Sequence, residues 1–297
     1  MTMRGADLDP LAILATLRIT DVERVEPVAG GWDTALWRVE TAGLVYALRV
    51  FRAEQAETCR REALAMRAAE AGGIPVPNIQ AEATWHDRPA LLLSWCRGRP
   101  LLQELRARPW RAWTQAVALG RMHARIHAVP PPPALRRWTS CWDEWLGPDD
   151  EPLQAPLRTL AQRSDALLHL DYHPLNVMSD GVRVTGVLDW ANAAAGDPRL
   201  DLARTVTLLR LAPAPPDAPP LLTAALRRVL ELGWRRGYRQ LARPVGDMAT
   251  FYAAAGTMMV RDLTPKIGRP GVWLEPHHLD RVRRWAAAWK RRAGVPL

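Results

Sequence analysis

Lysine is nearly missing from this 297-residue chain: of its 40 basic residues only Lys266 and Lys290 are lysines. Neither stands in G-x-x-x-x-G-K, which excludes a P-loop. Cysteine is scarce as well. Cys59, Cys96 and Cys141 are scattered with no CxxC pair, which excludes a disulfide framework and a zinc ribbon and points to reduced packing residues. None of Ser94, Ser140, Ser164 or Ser179 sits in G-x-S-x-G, so that class of hydrolase is excluded too. No apolar run approaches the roughly 20 residues that span a bilayer. The opening "MTMRGADLDPLAILATL" lacks a signal-peptide plan, because Asp7 and Asp9 interrupt its apolar stretch. The expectation is a cytoplasmic protein that acts on no membrane.

The 48% of hydrophobic residues can build a large core. The net charge of +9 is carried by arginines spread along the whole chain, so it reads as a coding bias and not as a nucleic-acid surface. The one basic cluster, "DRVRRWAAAWKRR", reads as a packed helix that buries Val282, Trp285 and Trp289.

Elements of two kinds divide the chain. "ALWRVET" and "LVYALRVF" are β-rich runs joined at Ala42-Gly43, as in a hairpin. A helix is expected from about Glu54 to Ala71, ended by Gly72-Gly73, and strands near 81–85 and 90–95 flank an "HDRP" turn. Beyond about Leu101 the pattern is helical, broken by the four prolines Pro130–Pro133 and by "APAPPDAPP". A small β-rich lobe (1–95) and a larger helical lobe (96–297) are expected to meet near 95–100.

"LLHLDYHPLNVM" sets His169, Asp171, His173 and Asn176 among apolar residues, where unpaired polar groups are costly. His169-x-Asp171 followed by Asn176 fits H-x-D-x-x-x-x-N, the arrangement of a kinase catalytic loop. The segment that follows reads as a hairpin turning at Asp180-Gly181, which returns Asp189 to the neighbourhood of Asn176. An amide oxygen and a carboxylate are the hard ligands that magnesium takes. Asp171 is then the group that orients a substrate hydroxyl and accepts its proton. Arg49, mid-strand between Leu48 and Val50, needs a partner, and Glu62 faces inward on the next helix, on one stripe with Cys59, Ala63 and Met66. Glu70 shares that stripe. His123 and His127 share a helix face without an evident third ligand, and read as packing or capping residues. Asp197 before Pro198 reads as a helix N-cap.

"HLDYHPLNVM…GVLDW…GDPRLDLA" resembles the aminoglycoside phosphotransferase and choline kinase-like family, small-molecule kinases on the protein-kinase fold. The resemblance runs through "EPVAGGWDTALWRVET", "YALRV", "RREALAMRAAEAGGIPVP", "LLLSWCRGRPL" and "LGRMHARIHAVP". It implies an α+β, two-lobed, protein-kinase-like fold and an ATP-dependent transfer to a small-molecule hydroxyl, with Mg2+ and with GTP as an alternative donor. It also implies a flap at Gly30-Gly31, phosphate positioning by Arg49 and Glu62, and adenine contacts from the backbone of Ser94, Trp95 and Cys96. Asp201, with His169 and His173, would support the catalytic loop. Three departures stand out: Leu170 where the family usually has glycine, Arg49 where it has lysine, and Trp190-Ala191 after the magnesium aspartate in place of Phe-Gly.

Two rival readings use the same residues. One is a metal-dependent hydrolase with His169, Asp171, His173 and Asp189 as ligands. The other is a kinase-like protein that binds nucleotide without catalysis. For the acceptor, "RRWTSCWDEWLG" spaces Trp138, Trp142 and Trp145 along one helix face. These tryptophans read as core; the alternative makes Trp142, with Asp143 and Glu144, the lining for a cationic or sugar-like substrate.

Overall fold

The computed structural model describes residues 8–28, 34–138, 145–161, 163–214, 218–243, 246–269 and 274–296. Five antiparallel strands come first: β1 (Val22–Pro27), β2 (Ala35–Thr41), β3 (Leu44–Val50), β4 (Ile79–Trp85) and β5 (Arg88–Ser94), in the order β1-β2-β3-β5-β4. Successive side chains point to opposite faces. Leu48, Val50 and Leu92 therefore join Trp37, Val39 and helix α1 (Pro10–Thr16) on one side, while Leu91 and Leu93 join Phe51 and Met66 on the other. Burial on both faces explains the unbroken apolar run of β5. The β4–β5 turn is tighter than "HDRP" suggested. His86 and Asp87 alone carry it, both left-handed, with Arg88 and Pro89 already paired to Trp85 and Thr84.

The same alternation turns Arg49, flanked by Leu48 and Val50, toward helix α2 (Ala56–Ala71), which a 3-10 turn at Ala53–Gln55 precedes. The buried stripe of α2 includes Cys59, Glu62, Ala63 and Met66, whereas Glu70 is exposed and accepts a bond from Asn78. Of the two inward candidates, only Glu62 meets Arg49.

The remainder is mainly helical: α3 (Leu101–Ala107), α4 (Ala112–His127), α5 (Glu151–Leu160), α6 (Pro198–Leu211), α7 (Pro220–Leu241), α8 (Ala249–Leu263) and α9 (Pro276–Arg292). Asp197 caps α6, its Oδ1 accepting from the Arg199 N–H at 2.9 Å with Pro198 at the first helical position. Helices α4 and α7 touch backbone to backbone: a Cβ on Gly120 would lie 1.9 Å from the Trp234 carbonyl oxygen, and one on Gly237 2.0 Å from that of Val117. Only glycine permits this approach, which carries Trp234 and Tyr238 of α7 onto the histidines of α4. In α9, Leu279, Val282 and Ala286 are buried, and Trp289 packs on Tyr252 with ring centres 4.6 Å apart. Among the described residues no helix is long and apolar enough to cross a membrane.

Between these helices lie short strands that hold the polar loop. β7 (Ala166–Leu168) pairs with β10 (Ala194–Gly196), and β8 (Val177–Ser179) pairs with both β6 (Arg99–Pro100) and β9 (Val184–Val187). The β8–β9 hairpin turns at Asp180-Gly181, where Asp180 Oδ1 accepts from the N–H groups of Val182 and Arg183, each at 2.9 Å. Val177 sits opposite Val187, and the Leu188 N–H donates to the Asn176 carbonyl at 2.8 Å. This register places Asp189 beside Asn176.

Candidate active site

The loop from His169 to Asn176 is held at both ends. His169 Nε2 donates to the Leu188 carbonyl at 3.0 Å, while its Nδ1 accepts from the Asp171 N–H at 3.3 Å. One imidazole thus ties Asp171 to the residue before Asp189, and neither ring nitrogen remains for a metal. That bonding removes His169 from the hydrolase ligand set. Trp190, fully buried, packs its ring 4.7 Å from that of His169 and donates its indole N–H to the Val187 carbonyl at 3.0 Å. Asn176 Nδ2 donates to both the Asp171 carbonyl and Asp171 Oδ2, each at 3.0 Å, which leaves the amide oxygen as its ligand atom. His173 Nε2 lies 3.5 Å from Asp171 Oδ2. Burial alone would raise the Asp171 carboxyl, but His173, with Arg204 and His169 farther off, outweighs it and holds the group well below the usual carboxylate range. Asp171 is an anion that accepts hydrogen bonds.

Leu170 explains how a bulky residue fits where the family usually has glycine. It takes a left-handed backbone (φ +62°), which costs a branched side chain roughly 1–2 kcal/mol. Two interactions offset that strain. Its side chain is buried, and Asp201 grips the backbone on either side: Asp201 Oδ2 accepts from the His169 N–H at 2.6 Å and Oδ1 from the Leu170 N–H at 3.0 Å.

Asp201 is the centre of a fully buried polar cluster that corrects the reading of His123 and His127 as lacking a third group. His123 Nε2 and His127 Nε2 lie 3.2 and 3.3 Å from Asp201 Oδ2. Trp234 can only donate, and its indole N–H meets His123 Nδ1 at 3.3 Å, so the His123 proton sits on Nε2, facing the carboxylate. His127 Nε2 faces the Asp201 carboxylate, which can only accept, so the His127 proton sits there and Nδ1 accepts from the Tyr238 hydroxyl at 2.8 Å. Burial would raise Asp201, yet His123 and His127 hold it well below the usual range, while burial pushes His123 down to about 4. The sign follows. Because the folded His123 pKa lies below the ordinary 6.5, its neutral form stabilises the fold above pH 6.5, and that stability is lost as pH falls toward 4. The loss amounts to about 3 kcal/mol over that window. Glu62, raised to about 7 chiefly by burial, acts in the opposite direction between 4.5 and 7. Urea titrations of wild type and His123→Gln from pH 7 to pH 4 separate the two, with a shallower acid loss expected in the variant. Equal slopes would show that His123 does not titrate with folding.

At the lobe boundary Arg49 bridges two carboxylates: Nη1 donates to Glu62 Oε1 at 2.6 Å and Nη2 to Asp189 Oδ1 at 3.1 Å. A lysine has one nitrogen and no such planar fork. The Asp189 side chain is 43% exposed and its backbone is left-handed (φ +61°), which leaves the carboxylate open to solvent beside Asn176. Those donors fit a hard divalent cation: one free amide oxygen and one accessible carboxylate, with the rest of the shell left to phosphate and water. At the hinge the expectation needs trimming. The Ser94 N–H donates to the Asn78 carbonyl at 2.9 Å and the Trp95 N–H to that of Val45 at 3.2 Å, so both are spent on the sheet. Only the Cys96 N–H has no partner among the described residues. Gly30, Gly31, Trp142, Asp143 and Glu144 lie outside the described residues.

Arg204 and Thr205 are contributors that the sequence did not announce. Arg204 Nε donates to the Leu170 carbonyl at 3.3 Å and Nη2 to Asp262 at 2.9 Å, and Thr205 Oγ donates to the Tyr172 carbonyl at 3.1 Å. Their signal was spacing: both stand one turn beyond Asp201 on the same face of α6.

The model of the phosphotransferase enzyme family matches residues 24–242, most of the chain. The chain belongs to that family. Solved structures share its fold at low identity. An amicoumacin kinase in complex with AMP-PNP, Ca2+ and Ami is 15% identical with a TM-score of 0.68, covering 97% of this chain and 95% of that one. A thermostable mutant of the aminoglycoside phosphotransferase APH(4)-Ia, with ADP and hygromycin B, is 16% identical with a TM-score of 0.62, covering 96% and 98%. Spectinomycin phosphotransferase APH(9)-Ia, with ADP and spectinomycin, is 12% identical with a TM-score of 0.61, covering 98% and 96%. A search of curated proteins finds no match. The fold of this phosphotransferase is the expected α+β, two-lobed, kinase-like one.

Proposed function

We propose that this phosphotransferase moves the γ-phosphate of ATP, with GTP as the alternative donor, to the hydroxyl of a small molecule. The observation that carries the reading is the meeting of Asp171, Asn176 and Asp189 across one loop and one hairpin, with Arg49 reaching Asp189 from the sheet. Asn176 and Asp189 would hold Mg2+, which when bound neutralises charge on the phosphates. Arg49, fixed by Glu62, would position the phosphates. Asp171 would orient the acceptor hydroxyl and take its proton as the oxygen bonds to the γ-phosphorus. The bond from that phosphorus to the bridging oxygen breaks, and ADP leaves. A strongly acidic Asp171 suits this order, since it takes the proton late, once the attacking oxygen has become acidic.

The test is a melting scan. Mg-ATP at one hundred times its Kd stabilises the folded chain by about 2.7 kcal/mol, a rise of about 4 °C for a chain of this length. No rise with Mg-ATP or Mg-GTP at millimolar concentration would end the reading. Nucleotide binding without transfer to any acceptor would favour the non-catalytic alternative.

A further inference from the structure

We infer that the acceptor is a mainly apolar alcohol without cationic amines, bound in the cleft between the catalytic loop, α3 and α7. The inference rests on the phosphotransferase reading and on the role given there to Asp171. The cleft is about 450 Å3, within the usual range for a small-molecule site. His173 is part of its lining and lies 3.5 Å from the Asp171 carboxylate, which puts the cleft next to the group proposed to receive the hydroxyl proton. The Leu102 N–H bonds to the Pro174 carbonyl at 3.0 Å, which fixes the α3 wall against the loop.

Two features of the lining set the chemistry. The first is its apolar wall: Leu222, Leu226 and Leu230 on one face of α7, together with Leu102, Leu175 and Leu208. Leu175 and Leu222 are 52% and 62% exposed, so the cleft offers leucine surface to water until something covers it. The second is charge. Among the described lining residues there is no carboxylate, whereas Arg106 and Arg227 are present. Arg227 donates to the carbonyls of Arg210 and Ala212 at the end of α6, not to an acid. The adjoining cavity shares Thr223 and Arg227 and adds Arg228 and Arg281. Of its carboxylates Glu231 is held by Arg210 and Arg235, while Glu275, exposed at the rim, lies 3.1 Å from His277. A polyamine entering the cleft meets Arg106 and Arg227 and, among the described lining residues, no carboxylate, an arrangement that disfavours it.

The experiment measures Mg-ATP-dependent ADP release from the full chain with three panels: polycationic aminocyclitols, uncharged apolar alcohols and apolar hydroxy acids. The expected result is release stimulated by apolar alcohols, uncharged or anionic, and none with the aminocyclitols. Leu222→Asp, at an exposed position, should then raise the KM of the responding alcohol about tenfold, because it puts a carboxylate in the apolar wall. Stimulation by the polycations, or by no apolar alcohol, overturns the inference, as does an acceptor KM that ignores Leu222→Asp. The melting scan separates the two failures. A chain that shifts with Mg-ATP but phosphorylates polycations keeps the phosphotransferase reading and loses this one, while a chain with no shift loses both.

Discussion

Asp171→Ala is expected to lower kcat by roughly 10²–10⁴-fold while leaving nucleotide affinity nearly intact, the range for a positioned acid–base group. The split follows from the geometry. Asp171 faces Asn176 Nδ2 and His173, whereas the proposed cation donors are Asn176 Oδ1 and the solvent-open carboxylate of Asp189. Losing Asp171 removes the hydroxyl's partner and keeps the ion's. Asp171→Asn is the sharper control, since it retains the size and one acceptor oxygen but cannot take a proton. Steady-state kinetics beside a nucleotide titration read both quantities. Equal loss of turnover and nucleotide affinity in both variants would contradict the division of roles.

Asp201→Ala is expected to cost roughly 3–5 kcal/mol of stability, as removing one partner from a buried charge network does. The loss reaches the loop directly. Without the carboxylate, the N–H groups of His169 and Leu170 have no acceptor, and His123 and His127 lose the group they face. Leu170 would no longer be held in its left-handed backbone, so kcat should fall in whatever fraction remains folded. Asp201→Asn should recover part of the stability, since the amide oxygen still accepts one N–H. Urea unfolding measures the stability term. An alanine variant within about 0.5 kcal/mol of wild type would show that the cluster is incidental.

Sequence spacing revealed the parts of the site that lie close along the chain or on one face of an element. H-x-D-x-x-x-x-N and the returning hairpin were enough to set Asp171, Asn176 and Asp189 together, because loop and hairpin geometry are local. Alternation in β3 and the 3.6-residue period of α2 were enough to aim Arg49 and Glu62 at each other, although they left Glu70 as an equal candidate. What spacing could not reveal is tertiary. His123 and His127 meet Trp234 and Tyr238 because Gly120 and Gly237 let α4 and α7 touch, while Asp201 reaches the same histidines from α6, and the packing of helices distant in sequence has no pattern of its own. At the hinge, spacing could not show which backbone N–H groups are free, for a related reason. Whether the N–H groups of Ser94 and Trp95 are free depends on Asn78 and Val45, which belong to other segments. The left-handed Leu170 was invisible because leucine seldom adopts that backbone.

Titrating ATP into the wild-type chain and into Asp189→Ala, each with and without Mg2+, tests the central claim most directly. If Asp189 and Asn176 hold the ion that carries the phosphates, wild type binds ATP far more tightly with Mg2+ than without it, and the variant loses that Mg2+-dependent gain. Mg2+-independent binding in wild type, or an undiminished Mg2+ effect in Asp189→Ala, would contradict it.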